Sequence, residues 1–323
     1  MCTTCGCSDS ANPRVTNLQA GHTDKTIHSH SDHSHSHNAH DHGHHHHEHE
    51  LDTHHDHQQE HETTVHLEQA ILAKNDRLAE RNRGWFLGRN IVALNLVSSP
   101  GSGKTTLLER TIHDLKDAMP ISVIEGDQET QFDAERIRKA GCPVIQINTG
   151  AGCHLEADML ARGLESLQPP SNSLVLIENV GNLVCPALFD LGEQAKVVVL
   201  SVTEGEDKPL KYPHMFQHAS VMILNKIDLL PHLTFDVATC LEFAHKVNPN
   251  LQVFQVSATT GKGLHHWYDW VTAQINASNR QVFANGQCIG ARVSGGNGTC
   301  DRGRSRGGGL HTPDQKLFGG EHA

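Results

Sequence analysis

The sequence predicts an α/β domain of three layers, a mainly parallel sheet covered by helices on both faces, carried between two tails without a core. Three observations lead there. Short, continuous apolar runs recur through residues 90–275, with amphipathic stretches between most of them, the pattern of strands buried on both sides. The first of these runs is followed at once by a glycine-rich loop that opens a helix. Outside this region the composition is extreme: 18 of the 28 histidines lie between His22 and His66, and residues 276–323 are rich in Gly, Arg, Ser and Asn without a sustained period.

A chain of 323 residues suggests about two domains on length alone, but this unevenness points to one folded domain with long extensions. Between Ala11 and Thr64 almost the only strongly apolar residues are Val15, Leu18, Ile27 and Leu51. The entropy of ordering such a chain goes uncompensated, so residues 1–65 are expected to be disordered. From His66 a stripe of Leu67, Ile71, Leu72, Leu78, Trp85 and Phe86, closed by Gly84 and Gly88, predicts a helix over 66–89 that docks on the main domain. Within the main domain, 90–275, strands are expected over 91–97, 121–125, 144–147, 174–178, 197–202, 221–224 and 253–256. Helices are expected over 104–117, 133–140, 155–167, 236–246 and 263–275. Residues 276–323 read as a flexible tail; Cys288 and Cys300 could bind metal there, an inert extension being the plainer reading.

Charge and apolarity exclude several classes. Residues 1–66 hold ten acidic residues against Arg14 and Lys25, which is eight of the eleven net negative charges. The remainder is nearly balanced and lacks the basic stripe that nucleic acid requires. No apolar run reaches the roughly 18 residues that span a bilayer, and the N-terminus lacks the basic-then-apolar order of a signal peptide. Nine cysteines in such a chain suit metal binding or a reduced state better than disulfides. A soluble, cytoplasmic chain is expected.

Ser98-Ser99-Pro100-Gly101-Ser102-Gly103-Lys104-Thr105-Thr106 follows a strand and opens a helix, the context of a P-loop. Small residues let backbone N–H groups curl around a β-phosphate, and the helix N-terminus adds partial positive charge. Lys104 would bridge the β- and γ-phosphates, and the Thr105 hydroxyl would ligate Mg²⁺. Ser98 stands where the usual pattern has glycine. Asp127 and Glu178 end strands, where an open parallel sheet lines its ligand crevice, and each could hold Mg²⁺, although capping or a solvated loop would also account for them. Glu178-Asn179-Val180-Gly181 resembles the acid-x-x-Gly switch of GTPases with Glu for Asp.

Asn225-Lys226-Ile227-Asp228 directly follows an apolar strand. Its carboxylate could accept from guanine N1–H and the exocyclic amino group. Adenine offers neither donor, and an acceptor left unpaired discriminates by roughly 10⁴-fold. Asn225 would support the loop, the Lys226 stem would pack along the ring, and Ser257-Ala258 resembles the companion loop that meets the guanine oxygen through backbone N–H. Following a P-loop at this spacing, these residues predict GTP as the nucleotide. A small-molecule kinase on the same fold is disfavoured by them.

Three further groups suit metal. Cys2, Cys5 and Cys7 gather three thiols that could fold around a soft or borderline cation, Ni²⁺ or Zn²⁺. The histidine tract, interleaved with Asp and Glu, reads as a weakly selective reservoir for divalent ions. Cys153, His154 and Cys185 could form a site with an open position, or the two cysteines could be buried and structural. Cys185 follows the switch, so a metal held there would be linked to the nucleotide state.

Together, Cys-x-x-Cys-Gly-Cys, the His-rich segment, Ser-Ser-Pro-Gly-Ser-Gly-Lys-Thr-Thr and Glu-Asn-Val-Gly-Asn-Leu-Val-Cys-Pro resemble the HypB family, from residue 1 to about 275. The resemblance implies a hydrogenase nickel-incorporation GTPase of the nickel-chaperone branch of P-loop proteins and a GTP-dependent homodimer; low intrinsic turnover is expected because no obvious water-positioning glutamine follows Gly181. It implies nickel donation during nickel–iron hydrogenase maturation, with HypA, SlyD and the hydrogenase large subunit as partners. Cys2, Cys5 and Cys7 would then be the tight nickel site, and Cys153, His154 and Cys185 the site in the GTPase domain. The related urease accessory GTPases carry Cys-Pro-His, whereas here Cys185-Pro186 is followed by Ala187. A nickel storage protein with a regulatory GTPase domain is the alternative.

Overall fold

The computed structural model describes residues 14–17, 56–128 and 132–286, with side chains described for 15–17, 68–128 and 132–278. Between Arg14 and Phe283 the described residues belong to one compact unit. Its elements run β1 (Arg14–Asn17), α1 (Asp56–Arg89), β2 (Val92–Ser98), α2 (Lys104–Leu115), β3 (Ile121–Asp127), α3 (Phe132–Ala140), β4 (Val144–Asn148), α4 (Ala157–Leu167) and β5 (Leu174–Glu178). There follow α5 (Cys185–Leu188), β6 (Ala195–Ser201), α6 (Lys208–Lys211), α7 (Pro213–His218), β7 (Val221–Asn225), a 3₁₀ turn (Ile227–His232), α8 (Val237–Val247), β8 (Gln252–Gln255) and α9 (Leu264–Gly286).

The strands form one sheet in the order β1-β4-β3-β5-β2-β6-β7-β8, parallel throughout except for β1. β2 sits centrally, between β5 and β6, and all seven of its residues are buried. Successive side chains of a strand point to opposite faces, and the core divides accordingly. Leu94 and Leu96 pack with Leu107, Leu108 and Ile112 of α2 and with Trp267 and Val271 of α9. On the other face, Ala93 packs with Phe86 of α1 and Leu160 and Leu164 of α4, while Val97 joins Phe216 of α7 and Cys240 and Ala244 of α8. The indole N–H of the fully buried Trp267 is not left orphaned; it donates to Thr111 Oγ1 at 3.1 Å.

The structure departs from the sequence reading at both margins of the domain. Residues 1–65 were expected to lack order, yet Arg14–Asn17 pairs antiparallel with β4, with Val15 opposite Ile147. A four-residue strand with one apolar residue carries too little pattern to stand out, and it forms because it covers the edge of β4. α1 begins at Asp56, ten residues before the expected start at 66; this stretch, almost wholly Asp, His, Gln, Glu and Thr with Val65 its one apolar residue, carries no apolar stripe. α9 continues past 275 to Gly286. The remainder of 1–65 and residues 287–323, including the histidine tract up to His55, Cys2, Cys5, Cys7, Cys288 and Cys300, lie outside the described residues.

Candidate functional site

The carboxyl ends of β2, β3 and β5 open into one cleft of about 560 Å³, lined by the loop 98–106 and by Glu125, Asp127, Gln128 and Glu178. That volume suits a nucleotide-sized ligand. The loop after β2 turns through Gly101 (φ 75°) and Gly103 (φ 90°) before α2 begins at Lys104. At Gly103 a side chain is excluded twice: the backbone is left-handed, and a Cβ would stand 2.6 Å from Asn225 Nδ2. α2 has no side-chain cap, so its first N–H groups stay directed at the cleft, the arrangement that receives phosphate.

Lys104 and Thr105, the first two helical residues, converge on one acid at the end of β5. Lys104 Nζ lies 3.0 Å from Glu178 Oε1, and Thr105 Oγ1 donates to the same oxygen at 2.6 Å. Glu178 Oε2 is buried with no hydrogen-bond partner, and so is Glu125 Oε2 at the end of β3. Glu125 was passed over in the sequence for Asp127, two residues later; only the third dimension reveals it as a buried acid facing Glu178. Burial, with the nearby Glu178 and Asp127 charges, pushes its pKa up to about 9.

This shift sets a pH dependence. A carboxyl whose folded pKa exceeds its unfolded value favours folding fully only below the unfolded value, about 4.5, and loses that contribution as pH rises toward about 9. Glu125→Gln, which removes the charge and keeps the shape, is therefore expected to stabilise the ligand-free protein at pH 7 by about 3 kcal/mol. At pH 4.5 the two proteins should unfold at nearly the same urea concentration. An equal gap at both pH values in urea titrations would refute the burial of that charge.

The residues expected to recognise the base are clamped to the loop after β2. Asn225, buried at the end of β7, donates from Nδ2 to Ser102 O at 3.0 Å, and Lys226 Nζ reaches Gly101 O at 2.7 Å. Lys226 takes a left-handed conformation (φ 63°), and Asp228 follows, half-buried, in the 3₁₀ turn. The companion loop differs from expectation. The Ala258 N–H is bonded to Asn225 Oδ1 at 3.1 Å, and the Ser257 N–H to Lys262 O at 2.9 Å. Both groups thus bind the protein itself, and they brace the Asn225 loop rather than standing open to a base.

The third group of sequence candidates comes together. One ligand atom each from Cys153, His154 and Cys185 fall within 4.8 Å of one another. Cys153 and His154 sit in the loop between β4 and α4, and Cys185 is the first residue of α5. Cys153 Sγ is 3.7 Å from His154 Nδ1. His154 is buried, its ring 4.0 Å from that of Phe189, and its Nε2 has no hydrogen-bond partner. Burial lowers its pKa to about 4, so the imidazole is neutral at pH 7 and its lone pair is available to a metal. Two thiols and a neutral imidazole suit a borderline cation such as Ni²⁺ or Zn²⁺.

The Cys153, His154 and Cys185 cluster and the cleft share a segment of chain. Asn179, next to Glu178, accepts the Leu155 N–H at 3.1 Å and donates to Asn95 of β2 at 3.3 Å. Asn182 Nδ2 contacts Cys153 O at 3.4 Å, and Gly181 packs so closely on Pro100 that a Cβ would lie 3.2 Å from its backbone. Farther along, the buried Lys196 donates to Pro186 O at 2.7 Å, beside Cys185. The loops of the cluster and of the cleft thus meet through direct contacts.

Comparison with known proteins agrees with this architecture. The nucleotide-binding domain model of the CobW/HypB/UreG family matches residues 92–255. The hydrogenase maturation factor HypB of Escherichia coli is 59% identical over 210 residues, covering 65% of this chain and 72% of that protein. Its counterpart in Rhizobium leguminosarum bv. viciae is 57% identical over 228 residues, 71% of this chain and 76% of the relative. Among solved structures, HypB from Helicobacter pylori in complex with nickel superposes with a TM-score of 0.59 at 40% identity, covering 63% of this chain and 96% of that one. HypB from Archaeoglobus fulgidus gives 0.59 at 39% identity, with 63% and 99% covered. Among the described residues no helix is long and apolar enough to cross a membrane. With a P-loop at the centre of a parallel sheet and relatives at these identities, the chain belongs to the CobW/HypB/UreG family of nucleotide-binding proteins, in its HypB group.

Proposed function

We propose that this chain is a GTP-hydrolysing nickel metallochaperone, which binds nickel and delivers it during nickel–iron hydrogenase maturation. The observation that carries this reading is the continuity between two sites. Cys185 of the soft-ligand cluster lies seven residues beyond Glu178, the acid that holds both Lys104 and Thr105. When GTP enters, Lys104 exchanges Glu178 for the β- and γ-phosphates, and the loop N–H groups and the α2 terminus take up the remaining phosphate charge. The segment from Glu178 to Cys185 responds to that exchange at one end and bears a metal ligand at the other. Nucleotide and nickel thereby bias the same element, the requirement for reciprocal coupling.

Mg²⁺ fits the acids of the cleft. The unpartnered, buried oxygens of Glu125 and Glu178, with Asp127 and the Thr105 hydroxyl, form a donor set of hard oxygens. Bound there, it would neutralise charge on the transferred phosphoryl group. Asp228 selects guanine in this account, and the Cys2, Cys5 and Cys7 thiols hold nickel before it passes to Cys153, His154 and Cys185, where Zn²⁺ is a competitor. A GTP-dependent homodimer, HypA, SlyD and the hydrogenase large subunit are the partners this function implies, in the cytoplasm.

The histidine tract favours a second reading, a nickel store whose GTPase domain controls assembly. Cells whose own copy is replaced by Lys104→Ala separate the two. For a delivery GTPase, hydrogenase activity falls to background while nickel tolerance persists. Hydrogenase activity near the wild-type level would establish the store and end the delivery reading.

A further inference from the structure

Hydrolysis of GTP needs a group that holds the attacking water in line with the γ-phosphate, and Asn182, not a glutamine, directly follows the switch glycine Gly181. Most polar side chains of the cleft are already engaged. Lys104 and Thr105 bind Glu178. Arg136 is held by Glu109 at 2.6 Å and Asp133 at 3.1 Å, Lys226 by Gly101 O, and Asn179 by Asn95 and Leu155.

Gln128 differs. It follows the last residue of β3, is exposed, and lines the cleft beside Asp127. Its Nε2 donates to Gly152 O at 3.3 Å, and its Oε1 accepts no hydrogen bond from a described residue. A carboxamide carries a donor and an acceptor at fixed geometry. With the amide anchored, the carbonyl oxygen is left to accept from a water in the cleft. The anchor itself is held: Gly152 N–H donates to Thr149 O at 2.9 Å, and Thr149 Oγ1 donates to Gly152 O at 2.7 Å. Gly152 directly precedes Cys153 of the metal cluster.

We propose that Gln128 orients the attacking water in GTP hydrolysis, its amide anchored on the Gly152 carbonyl of the loop that carries Cys153. This rests on the GTPase reading given above. In the step, the water oxygen forms a bond to the γ-phosphorus while the bond from that phosphorus to the β–γ bridging oxygen breaks, and the oxygen keeps the electron pair and leaves as part of GDP. Gln128 Oε1 accepts a hydrogen bond from the water but takes no proton, since a carboxamide is not basic at neutral pH. The proton passes to an oxygen of the departing phosphate. Because the anchor adjoins Cys153, nickel at the cluster acts on the orientation of Gln128.

The test uses the full chain. Phosphate release at saturating GTP gives kcat, and a fluorescent non-hydrolysable GTP analogue gives nucleotide affinity. Gln128→Ala should lower kcat at least about tenfold with analogue affinity within about twofold of wild type, and Gln128→Glu, which keeps an acceptor but loses the donor to Gly152 O, should not restore it. An unchanged kcat in Gln128→Ala would overturn the proposal, as would parallel losses of kcat and affinity, which would place Gln128 in binding. Wild-type protein that releases no phosphate would sink the GTPase reading and this proposal with it, whereas an active wild type with an indifferent Gln128→Ala leaves that reading standing. Added nickel should change wild-type kcat at least twofold and leave Gln128→Ala unaffected. Equal responses in both proteins, or none in either, would remove the Gly152 anchor from the account.

Discussion

Lys104→Ala is expected to lower GTP hydrolysis by about 10²–10³-fold or more, the scale on which losing one preorganised charge-stabilising donor acts. Lys104 is half-buried at the first position of α2 and carries a cation of the cleft within reach of the loop N–H groups. The other cations lining the cleft cannot replace it: Arg136 is tied to Glu109 and Asp133, and Lys226 to Gly101 O. The substitution also removes the ion pair at Glu178, whose carboxylate is 2% exposed and then keeps only Thr105. An uncompensated buried charge is costly, so the variant should also be less stable without nucleotide. Lys104→Arg separates the two effects: it restores the charge but not the compact point geometry that phosphate binding uses, so stability should recover more than hydrolysis. Single-turnover phosphate release and urea unfolding measure both, and a kcat within threefold of wild type for Lys104→Ala would remove Lys104 from the reaction.

Cys185→Ala is expected to weaken nickel binding at the domain cluster by about 100-fold or more, since second-shell partners alone are worth 10–100-fold at metal sites. The thiol is 2% exposed at the start of α5 and lies within 4.8 Å of the Cys153 and His154 ligand atoms. Only the sulfur is lost, so the domain should remain folded. Cys240→Ala provides the control. That thiol is buried in the core of β6, β7, α7 and α8, and burial pushes its pKa up to about 12, so it neither ionises nor reaches the cluster. Nickel titration followed by thiolate-to-metal charge-transfer absorption distinguishes the two variants. Equal nickel affinity in Cys185→Ala and Cys240→Ala would mean that the cluster is structural.

Legibility in the sequence followed the density of the apolar pattern. The strands β2 to β7 are continuous apolar runs, and α2 and α4 carry apolar residues on one side only, so their type and place are readable. β1 has one apolar residue, and its cause is the edge of β4, more than a hundred residues away. The short helices α5, α6 and α7 each open with proline in the first turn, which marks a helix start but gives no period to extend it. In the site, Gly101 to Thr106 and Asn225 to Asp228 are local words whose spacing after a strand carries their chemistry. Cys153, His154 and Cys185 are not: the outer two stand 32 positions apart, and only the pairing of β3 with both β4 and β5 brings their loops together. Glu125 and Gln128 were missed for the same reason. Each flanks Asp127 on one strand end, and nothing in a single sequence tells which of four consecutive residues faces a cleft.

The central claim is that one segment, from Glu178 to Cys185, reads the nucleotide and holds the metal. The direct measurement is nickel affinity of the full chain carrying Cys2→Ala, Cys5→Ala and Cys7→Ala, followed through thiolate charge-transfer absorption, to which histidine sites do not contribute. The titration is run with GDP and again with a non-hydrolysable GTP analogue. The account predicts affinities that differ at least about tenfold, a coupling of about 1.4 kcal/mol. Equal affinities in the two nucleotide states would contradict it and leave two independent sites on one domain.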